Sequence, residues 1–426
     1  MKKGLTIILA IVAVAAIIFG AVSFAQKGEL QKQLDELNAQ VAKLNEQLAD
    51  TKSQLESAKS EAAEAAKAAE EAKAAAEAAK TAEEAKTVES VNTDVEGELV
   101  IYSSMYQFVI DMMDEALKAK FPNLVPGNNG SFFFYGGTSS LITKIYGEME
   151  TGTLGCDMFM VAEPAFSLEL KEAGYLEPIE IENPDTLLRF PYDAEGYWYP
   201  VRVCNMVLAY NPEMEEAWAA KGVTIPKTFK DFANDPALKG LISMGNPLTS
   251  GTTFAAVASL IQDNHYGKDF LKGLAANEVM IESGSTALTK LQTGECAAIM
   301  ILEESVLKVL KEAADAGNPI TNLKCIYPED GVVLIPSTVM TVAEDHSKNV
   351  NIEACEAVEK WLLSEEAQKL ILQGYMHSVF AGMKEIPYES VDTDGLIEKD
   401  LGVDWENAYQ NRDAINTAWT EIVTTK

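Results

Sequence analysis

Glycine and hydroxyl residues gather at three points where an apolar, strand-like run gives way to a helix-like pattern. The three junctions are Ser103-Ser104, Gly136-Gly137-Thr138-Ser139-Ser140, and NPLTSGTTF at residues 246–254. A helix N-terminus leaves backbone N–H groups free and carries the positive end of the helix dipole, so it suits an anion. The ordinary alternative is a helix cap, which Thr138 or Ser139 could supply. Whether the junctions converge decides between three caps and one anion site.

Short apolar strands alternate with helical patterns through most of the chain after Gly97. The order begins ELVIYSS, QFVIDMMDEALKAKF, SFFFYGG and resumes after Pro226 with FKDFANDP, GLISMGN, GTTFAAVASLI. This alternation predicts βαβ units, a mostly parallel sheet and an α/β fold of two lobes. Because such junctions lie at the carboxyl edge of a parallel sheet, the three should converge on a ligand cleft between the lobes.

Composition excludes several functions. The formal net charge of −31 over 426 residues argues against nucleic-acid binding, which needs a basic face. The five cysteines are widely spaced without a CxxC pair, which argues against a disulfide framework or a zinc site and favours free thiols. One disulfide remains open.

Catalysis finds little support in the sequence. GxSxG, HExxH, GxxxxGK[ST] and GxGxxG are all absent, so we predict neither an enzyme nor a cofactor. His265 and His346 lie in polar stretches that predict solvated loops, and His377 in GYMHSVF is expected to be a packing residue with satisfied nitrogens.

Residues 1–25 predict export. Lys2 and Lys3 precede an uncharged apolar run from Leu5 to Phe24, and about 20 apolar residues are what a membrane-spanning helix needs. A cleavable signal has a shorter core, about 7–15 residues, so a retained anchor is favoured, while cleavage after Ala25 stays open. Both readings place the rest of the chain outside the cytoplasm, in the periplasm or at the cell surface.

Residues 26–96 predict a helical coiled-coil stalk. Apolar residues recur every three or four positions, first as leucine and valine from Leu30 to Leu55 and then as alanine to Ala79. The flanking Glu, Lys, Gln and Ala are good helix formers. The alternative is a single exposed helix, but the leucine half favours self-association into a homo-oligomer.

The body after Gly97 resembles the extracytoplasmic solute-binding proteins of ABC importers, in the two-lobed cluster that includes ferric-ion, sugar-phosphate and aminophosphonate binders. The matching stretches, in family order, include GELVIYSS, GGTSSLITKIYGEMETGTLGCDMFMVAEP, GYWYPVRVCNMVLAYNPEM, IPKTFKDFANDPALKGLISMGNPLTSGTTFAAVASLI, SGSTALTKLQTGECAAIMI and YPEDGVVLIPSTVMTV. The resemblance implies a type II-like clamshell that closes on its ligand and delivers it to a membrane permease.

The resemblance also implies that the chain crosses a hinge twice, near residues 202–210 and 330–336. Residues 97–202 and 332–385 would then form lobe 1, and residues 203–331 and 386–426 would form lobe 2.

The chain departs from this cluster after the strand CAAIMI. Ferric binders carry adjacent tyrosines there and sugar-phosphate binders a His-Asp pair, whereas this chain has Glu303 and Glu304. The two acids either begin the next helix, where carboxylates suit the dipole, or accept hydrogen bonds from a ligand's ammonium or hydroxyl groups. Arg202 is expected at the hinge, where it binds an anion or else forms a buried ion pair.

The sequence therefore predicts an importer's binding protein for a small anionic, phosphorylated or phosphonate solute. The predicted ligand-binding residues are Ser103, Ser104, Gly137, Thr138, Ser139, Ser140, Arg202, Ser250, Gly251, Thr252, Glu303 and Glu304. The first alternative is a ferric or other metal binder using Glu163, Tyr199, Glu303 and Glu304 as oxygen ligands. Two further alternatives are a stalked sensor and an inert stalked surface protein.

Overall fold

The computed structural model describes residues 91–348 and 350–425. The predicted signal or anchor at residues 1–25 lies outside them, as does the predicted stalk apart from residues 91–96. Within the described part, no helix combines the length and apolar character that crossing a membrane requires. The folded body includes residues ahead of Gly97, since Val95 is buried in its core and Asn92 donates a hydrogen bond to Glu353.

The strands and helices alternate along most of the body, as the sequence predicts. The strands are β1 (Gly97–Leu99), β2 (Ile101–Ser103), β3 (Leu124–Pro126), β4 (Phe133–Tyr135), β5 (Met158–Val161), β6 (Leu176–Glu177), β7 (Tyr199–Tyr210), β8 (Ile242–Met244), β9 (Met280–Ile281), β10 (Ala298–Leu302), β11 (Lys324–Ile326) and β12 (Val333–Val342). The helices are α1 (Gln107–Lys120), α2 (Thr138–Met149), α3 (Pro164–Glu172), α4 (Pro184–Leu187), α5 (Glu215–Ala219), α6 (Phe229–Asn234), α7 (Gly251–Leu260), α8 (Asp269–Ala276), α9 (Gly284–Gln292), α10 (Glu303–Asp315), α11 (Ile352–Leu362), α12 (Glu365–Gln373), α13 (Thr393–Ile397), α14 (Trp405–Gln410) and α15 (Arg412–Trp419).

One mixed sheet runs through the body, in the order β4-β2-β5-β12-β7-β10-β8-β9. Strand β2 pairs in parallel with β4 and β5, and β8 pairs in parallel with β9 and β10. Between these two parallel groups, the long strands β7 and β12 are antiparallel to each other and to their outer neighbours. The prediction of a parallel sheet therefore holds within each group, and the connection between them is antiparallel.

Two aromatic-rich cores define two lobes. In lobe 1, α1 and α11 pack beside β2, and the rings of Phe121 and Trp361 meet edge to face at 6.4 Å. In lobe 2, α6, α7 and α8 bury Phe229, Phe254 and Phe270. Strands β7 and β12 supply side chains to both cores, which makes them the connection between the lobes.

The predicted strand ELVIYSS is split into β1 and β2. The N–H of Val100 donates to the Asp157 carboxylate at 2.7 Å instead of to a neighbouring strand. On one side of this break β1 pairs with β3, and on the other β2 enters the main sheet. A side-chain acceptor thus interrupts a run whose apolar pattern is continuous.

Candidate ligand-binding site

A cavity of about 200 Å³ lies where residues of both lobes meet. Eight of the predicted ligand-binding residues line it: Ser104, Gly137, Thr138, Arg202, Ser250, Gly251, Thr252 and Glu304. The structure thus brings all three strand-to-helix junctions to one place, as the parallel-strand argument requires.

The other four predicted residues lie elsewhere. Ser103 is buried, and its Oγ accepts a hydrogen bond from the N–H of Met105 at 3.3 Å. Ser139 and Ser140 follow Thr138 on α2 but do not line the cavity. Glu303 is buried in a separate polar network.

Two helices of opposite lobes begin at the cavity. Helix α7 is capped by Ser250, whose Oγ accepts from the N–H of Thr253 at 3.3 Å. Helix α2 starts after Gly137, which has an extended backbone and makes no side-chain capping bond. The prediction that Thr138 or Ser139 caps this helix is wrong, because the helix already includes both residues. Its first N–H groups are therefore left without a capping side chain, as an anion site requires.

Gly251 marks the closest approach of the lobes. A Cβ added there would stand 2.5 Å from Cγ2 of Thr138 and 2.7 Å from Oε2 of Glu163. Both distances are shorter than nonbonded contacts, so a larger residue at this position would require the side chains of Thr138 and Glu163 to move.

Arg202 lies on β7 and is 3% exposed. Its Nη1 contacts Sγ of Cys204 at 3.1 Å and Sδ of Met376 at 2.8 Å, and its Nη2 donates to Oγ of Ser104 at 3.3 Å. In the described part of the chain, its Nε has no partner and it forms no ion pair. Sulfur is a weak acceptor, so this buried positive charge is poorly compensated by the protein itself.

Glu304 also lines the cavity and is 1% exposed. Burial disfavours its charged form and raises the pKa of the carboxyl to about 7, although the nearby Arg202 opposes the rise. The group therefore changes charge near neutral pH and can either accept or donate a hydrogen bond there.

Glu303 is held behind the cavity. Its carboxylate accepts from Asn205 Nδ2 at 2.9 Å, from Tyr327 at 2.6 Å and from Ser390, and it pairs with Nε2 of His377 at 2.9 Å. Burial alone would raise its pKa, but the contacts with His377, Ser390 and Tyr327 outweigh burial and hold the pKa below its usual value. With all these partners, Glu303 belongs to a buried hydrogen-bond network that includes Asn205 of β7.

The structure confirms the prediction for one histidine and contradicts it for the other two. His377 is a satisfied packing residue as predicted, since its Nδ1 also bonds to Oγ1 of Thr393 at 2.9 Å. His265 and His346 are half-buried instead of solvated. The first bonds to the carbonyl of Ser259 at 2.7 Å, and the second stacks on Tyr175 with ring centres 4.0 Å apart. All five cysteines are free thiols.

The residues predicted to bind a metal ion in the alternative interpretation are instead bonded to other protein groups. Glu163 forms an ion pair with Arg412, and the hydroxyl of Tyr199 donates to the carbonyl of Ile179 at 2.9 Å. Glu303 is occupied as described above. Among the described residues, no group of three or more His, Cys, Asp or Glu side chains could hold a metal ion.

The sequence prediction missed several residues of the cavity wall. Tyr106 and Tyr135 line it, as do Cys204, Thr249 and Leu302. Tyr106 bridges the lobes through a 2.7 Å hydrogen bond between its hydroxyl and Oγ of Ser305. Both tyrosines sit at the same strand-to-helix junctions as the predicted hydroxyls, so the junction rule could have found them had it included aromatic residues.

A two-lobed α/β body with a polar cleft at its strand ends defines a class, the binding proteins that enclose a small solute between lobes. The model of the family described as bacterial extracellular solute-binding protein matches residues 155–392. The chain belongs to this family, and it is an extracytoplasmic solute-binding protein of the kind that serves ABC importers.

Relatives with known structures share the fold. Iron-bound HitA from Pseudomonas aeruginosa is 22% identical with a TM-score of 0.62, covering 75% of this chain and 99% of its own. The binding protein AfuA from Actinobacillus pleuropneumoniae, with exogenous fructose-6-phosphate bound, is 20% identical with a TM-score of 0.62, covering 78% of this chain and 100% of its own.

A sequence relative is also found. An uncharacterized protein of Haemophilus influenzae is 23% identical over 288 residues, which are 66% of this chain and 77% of the relative.

Proposed function

We propose that the protein captures a small anionic solute with a phosphate or phosphonate group and delivers it to an ABC permease. The observation that carries this proposal is Arg202, a buried guanidinium that lines the cleft without an ion pair in the described part of the chain. A bound oxyanion would supply the missing negative charge and accept the planar fork of N–H donors.

The rest of the cavity wall suits the same group. Hydroxyls of Ser104, Thr138 and Thr252 line it and can donate to oxyanion oxygens. The N-termini of α2 and α7 add backbone N–H groups and two helix dipoles from opposite lobes. Since donors come from both lobes, the anion would favour the closed arrangement of the clamshell.

Glu304 is the acceptor for a solute group close to the anion, because it lines the same cavity as Arg202. It lines the cavity, and a carboxyl there can take a hydrogen bond from a hydroxyl or an ammonium group. The choice between Glu303 and Glu304 falls on Glu304, because hydrogen bonds already engage both oxygens of Glu303.

A ferric or other metal ion is the competing solute, and iron-bound HitA shares the fold. The chain offers less for it, since a buried arginine repels a bare cation. The other alternative, an inert surface protein, would bind no solute.

The proposal includes a tether and a boundary between the lobes. Residues 1–25 anchor the protein in the cytoplasmic membrane, and the stalk at residues 26–96 carries the body away from it. Lobe 1 comprises residues 97–202 and 332–385, and lobe 2 comprises residues 203–331 and 386–426. The sharing of β7 and β12 by both cores supports a boundary within these strands.

Calorimetric titration of the purified protein tests the solute class. Inorganic phosphate and methylphosphonate should bind and compete for one site. Ferric ion added without phosphate should give no heat of binding. Tight ferric binding in the absence of any oxyanion, with no response to phosphate, would contradict the proposal.

A further inference from the structure

A second and larger cavity, of about 870 Å³, adjoins the small one. The two cavities share the wall residues Tyr106, Thr249, Ser250, Thr252 and Leu302. Apart from Tyr106, which reaches across from lobe 1, the wall of the larger cavity belongs to lobe 2. None of the predicted anion donors except Ser250 and Thr252 lines it.

The larger cavity has an apolar floor and a hydroxyl rim. Met206 of β7, Met300 of β10 and Leu288 of α9 form part of the floor. Ser285 at the start of α9 and Ser305 on α10 belong to the rim. Such a surface accepts a body with apolar carbons on one side and hydrogen-bonding groups on the other.

The charged side chains of this wall already have partners. Lys308 forms an ion pair with Glu312 at 2.5 Å, and Glu282 forms one with Lys290. The larger cavity therefore presents no unmatched ionic group comparable with Arg202. A second charged group on the solute would have to compete with these existing partners.

Size argues in the same direction. Ligand cavities for organic molecules measure about 300–1,000 Å³, and the larger cavity falls in this range, whereas the anion cavity of about 200 Å³ lies below it. A bare oxyanion or a metal ion would leave the larger cavity unfilled and its apolar floor in contact with water.

We infer that the solute is an organic phosphate or phosphonate with an uncharged, partly apolar body, which occupies the lobe 2 cavity while the anion lies at Arg202. This inference rests on the proposed function. It assigns the floor formed by Met206, Leu288 and Met300 to specificity, and the cavity at Arg202 to the group that all accepted solutes share.

A homologous series of alkyl phosphates tests the inference on the whole protein. Calorimetry would compare inorganic phosphate with methyl, ethyl, propyl and butyl phosphate. Each buried methylene should tighten binding about fourfold, the factor that follows from about 0.8 kcal/mol per CH₂. Affinity that is independent of chain length would overturn the inference while leaving the proposed anion site intact. Failure of every member to bind, inorganic phosphate included, would overturn both.

Two variants of α9 locate the alkyl chain. Ser285 is exposed and lines the larger cavity, so Ser285→Trp should obstruct part of it and reduce the dependence of affinity on alkyl chain length. Thr289 is exposed on the same helix outside the cavity wall, and Thr289→Trp should behave like the unaltered protein. Full chain-length dependence in a folded Ser285→Trp protein would place the body elsewhere and overturn the inference.

Discussion

Arg202 differs from the other arginines of the chain in what surrounds it. Arg189 pairs with Asp394 at 2.9 Å and donates to the carbonyl of Met383 at 2.8 Å, and Arg412 pairs with Glu163. Arg202 instead contacts two sulfur atoms and a serine. The buried ion pair that the sequence left open as its alternative role is absent among the described residues, which leaves its charge for a ligand.

We expect Arg202→Lys to weaken phosphate binding about 10- to 100-fold, because lysine keeps the charge but loses the planar fork. The free energy of unfolding of the unliganded protein should change by less than about 1 kcal/mol, because no carboxylate loses its partner. Calorimetric affinity and melting temperature should be measured on the same variant.

Arg189→Lys is the matched control. It should leave phosphate affinity unchanged and lower the melting temperature, since Arg189 binds protein groups only. Unchanged affinity together with a lowered melting point in Arg202→Lys would assign Arg202 a structural role and contradict its role as anion ligand.

Glu304 makes anion binding depend on pH. Its pKa of about 7 means that it gains negative charge beside the anion as pH rises from 6 to 8. Affinity for sulfate, whose own charge is constant in this range, should therefore fall about tenfold. Glu304→Gln should bind sulfate with little dependence on pH.

The same shift has an effect on stability with a definite sign. Since burial raises the pKa, the folded protein holds this proton more tightly than the unfolded chain, and that stabilisation is lost as pH rises through about 7. Glu359, whose pKa burial raises to about 8, hydrogen-bonds to Thr341 in lobe 1 and provides a control. Glu359→Gln should alter the dependence of stability on pH but keep the pH dependence of sulfate binding. If sulfate affinity changed with pH equally in the wild type and in Glu304→Gln, the role of Glu304 would be ruled out.

At the level of elements, we expect the contact between α2 and α7 to limit closure. These two helices meet at Gly251, where a Cβ would overlap Thr138 and approach Glu163. The N-terminus of α7 must come this close for donors from both lobes to reach one anion.

Gly251→Ala should therefore keep the lobes apart. We expect phosphate affinity to fall more than tenfold and the compaction on ligand binding, measured by small-angle scattering, to disappear. Gly147→Ala is the control, because a Cβ at this position of α2 would meet nothing within 4 Å. It should stabilise the helix by about 0.5–1 kcal/mol and leave closure intact. Normal compaction of Gly251→Ala would show that the observed approach is not needed for binding.

The sequence predicts the elements of the site better than the partners of its side chains. Strand-to-helix junctions are local patterns, and all three converge as the parallel-strand rule requires. The environment of Glu303 depends on residues far from it in the sequence, because His377, Tyr327 and Ser390 contact it from separate segments. Two adjacent acids in the sequence thus lie in two environments, Glu303 in a buried hydrogen-bond network and Glu304 in the cavity wall.

Long-range contacts also explain the remaining errors. The break between β1 and β2 depends on Asp157, which is far along the chain from Val100. The half-burial of His346 depends on Tyr175, which stacks on its ring. Neither partner could be read from the residues around Val100 or His346.

At the scale of the whole molecule, we expect the predicted stalk to determine assembly. The leucine and valine heptads from Leu30 to Leu55 predict self-association, and polar residues would leave core layers unfilled. Protein that retains residues 26–96 should sediment as an oligomer, and Leu37→Asn combined with Leu44→Asn should reduce it to a monomer. A monomer with the unaltered stalk would contradict the coiled-coil prediction.

The central claim is that this family member carries an organic anion across the space outside the cytoplasm, and the solute that co-purifies with the protein tests it most directly. Native mass spectrometry of protein isolated without denaturation measures the mass of that solute. We expect a phosphorus-containing organic adduct that is depleted in Arg202→Lys and absent after denaturation. An iron adduct that survives in Arg202→Lys, or a protein that carries no solute and binds no oxyanion, would contradict the account.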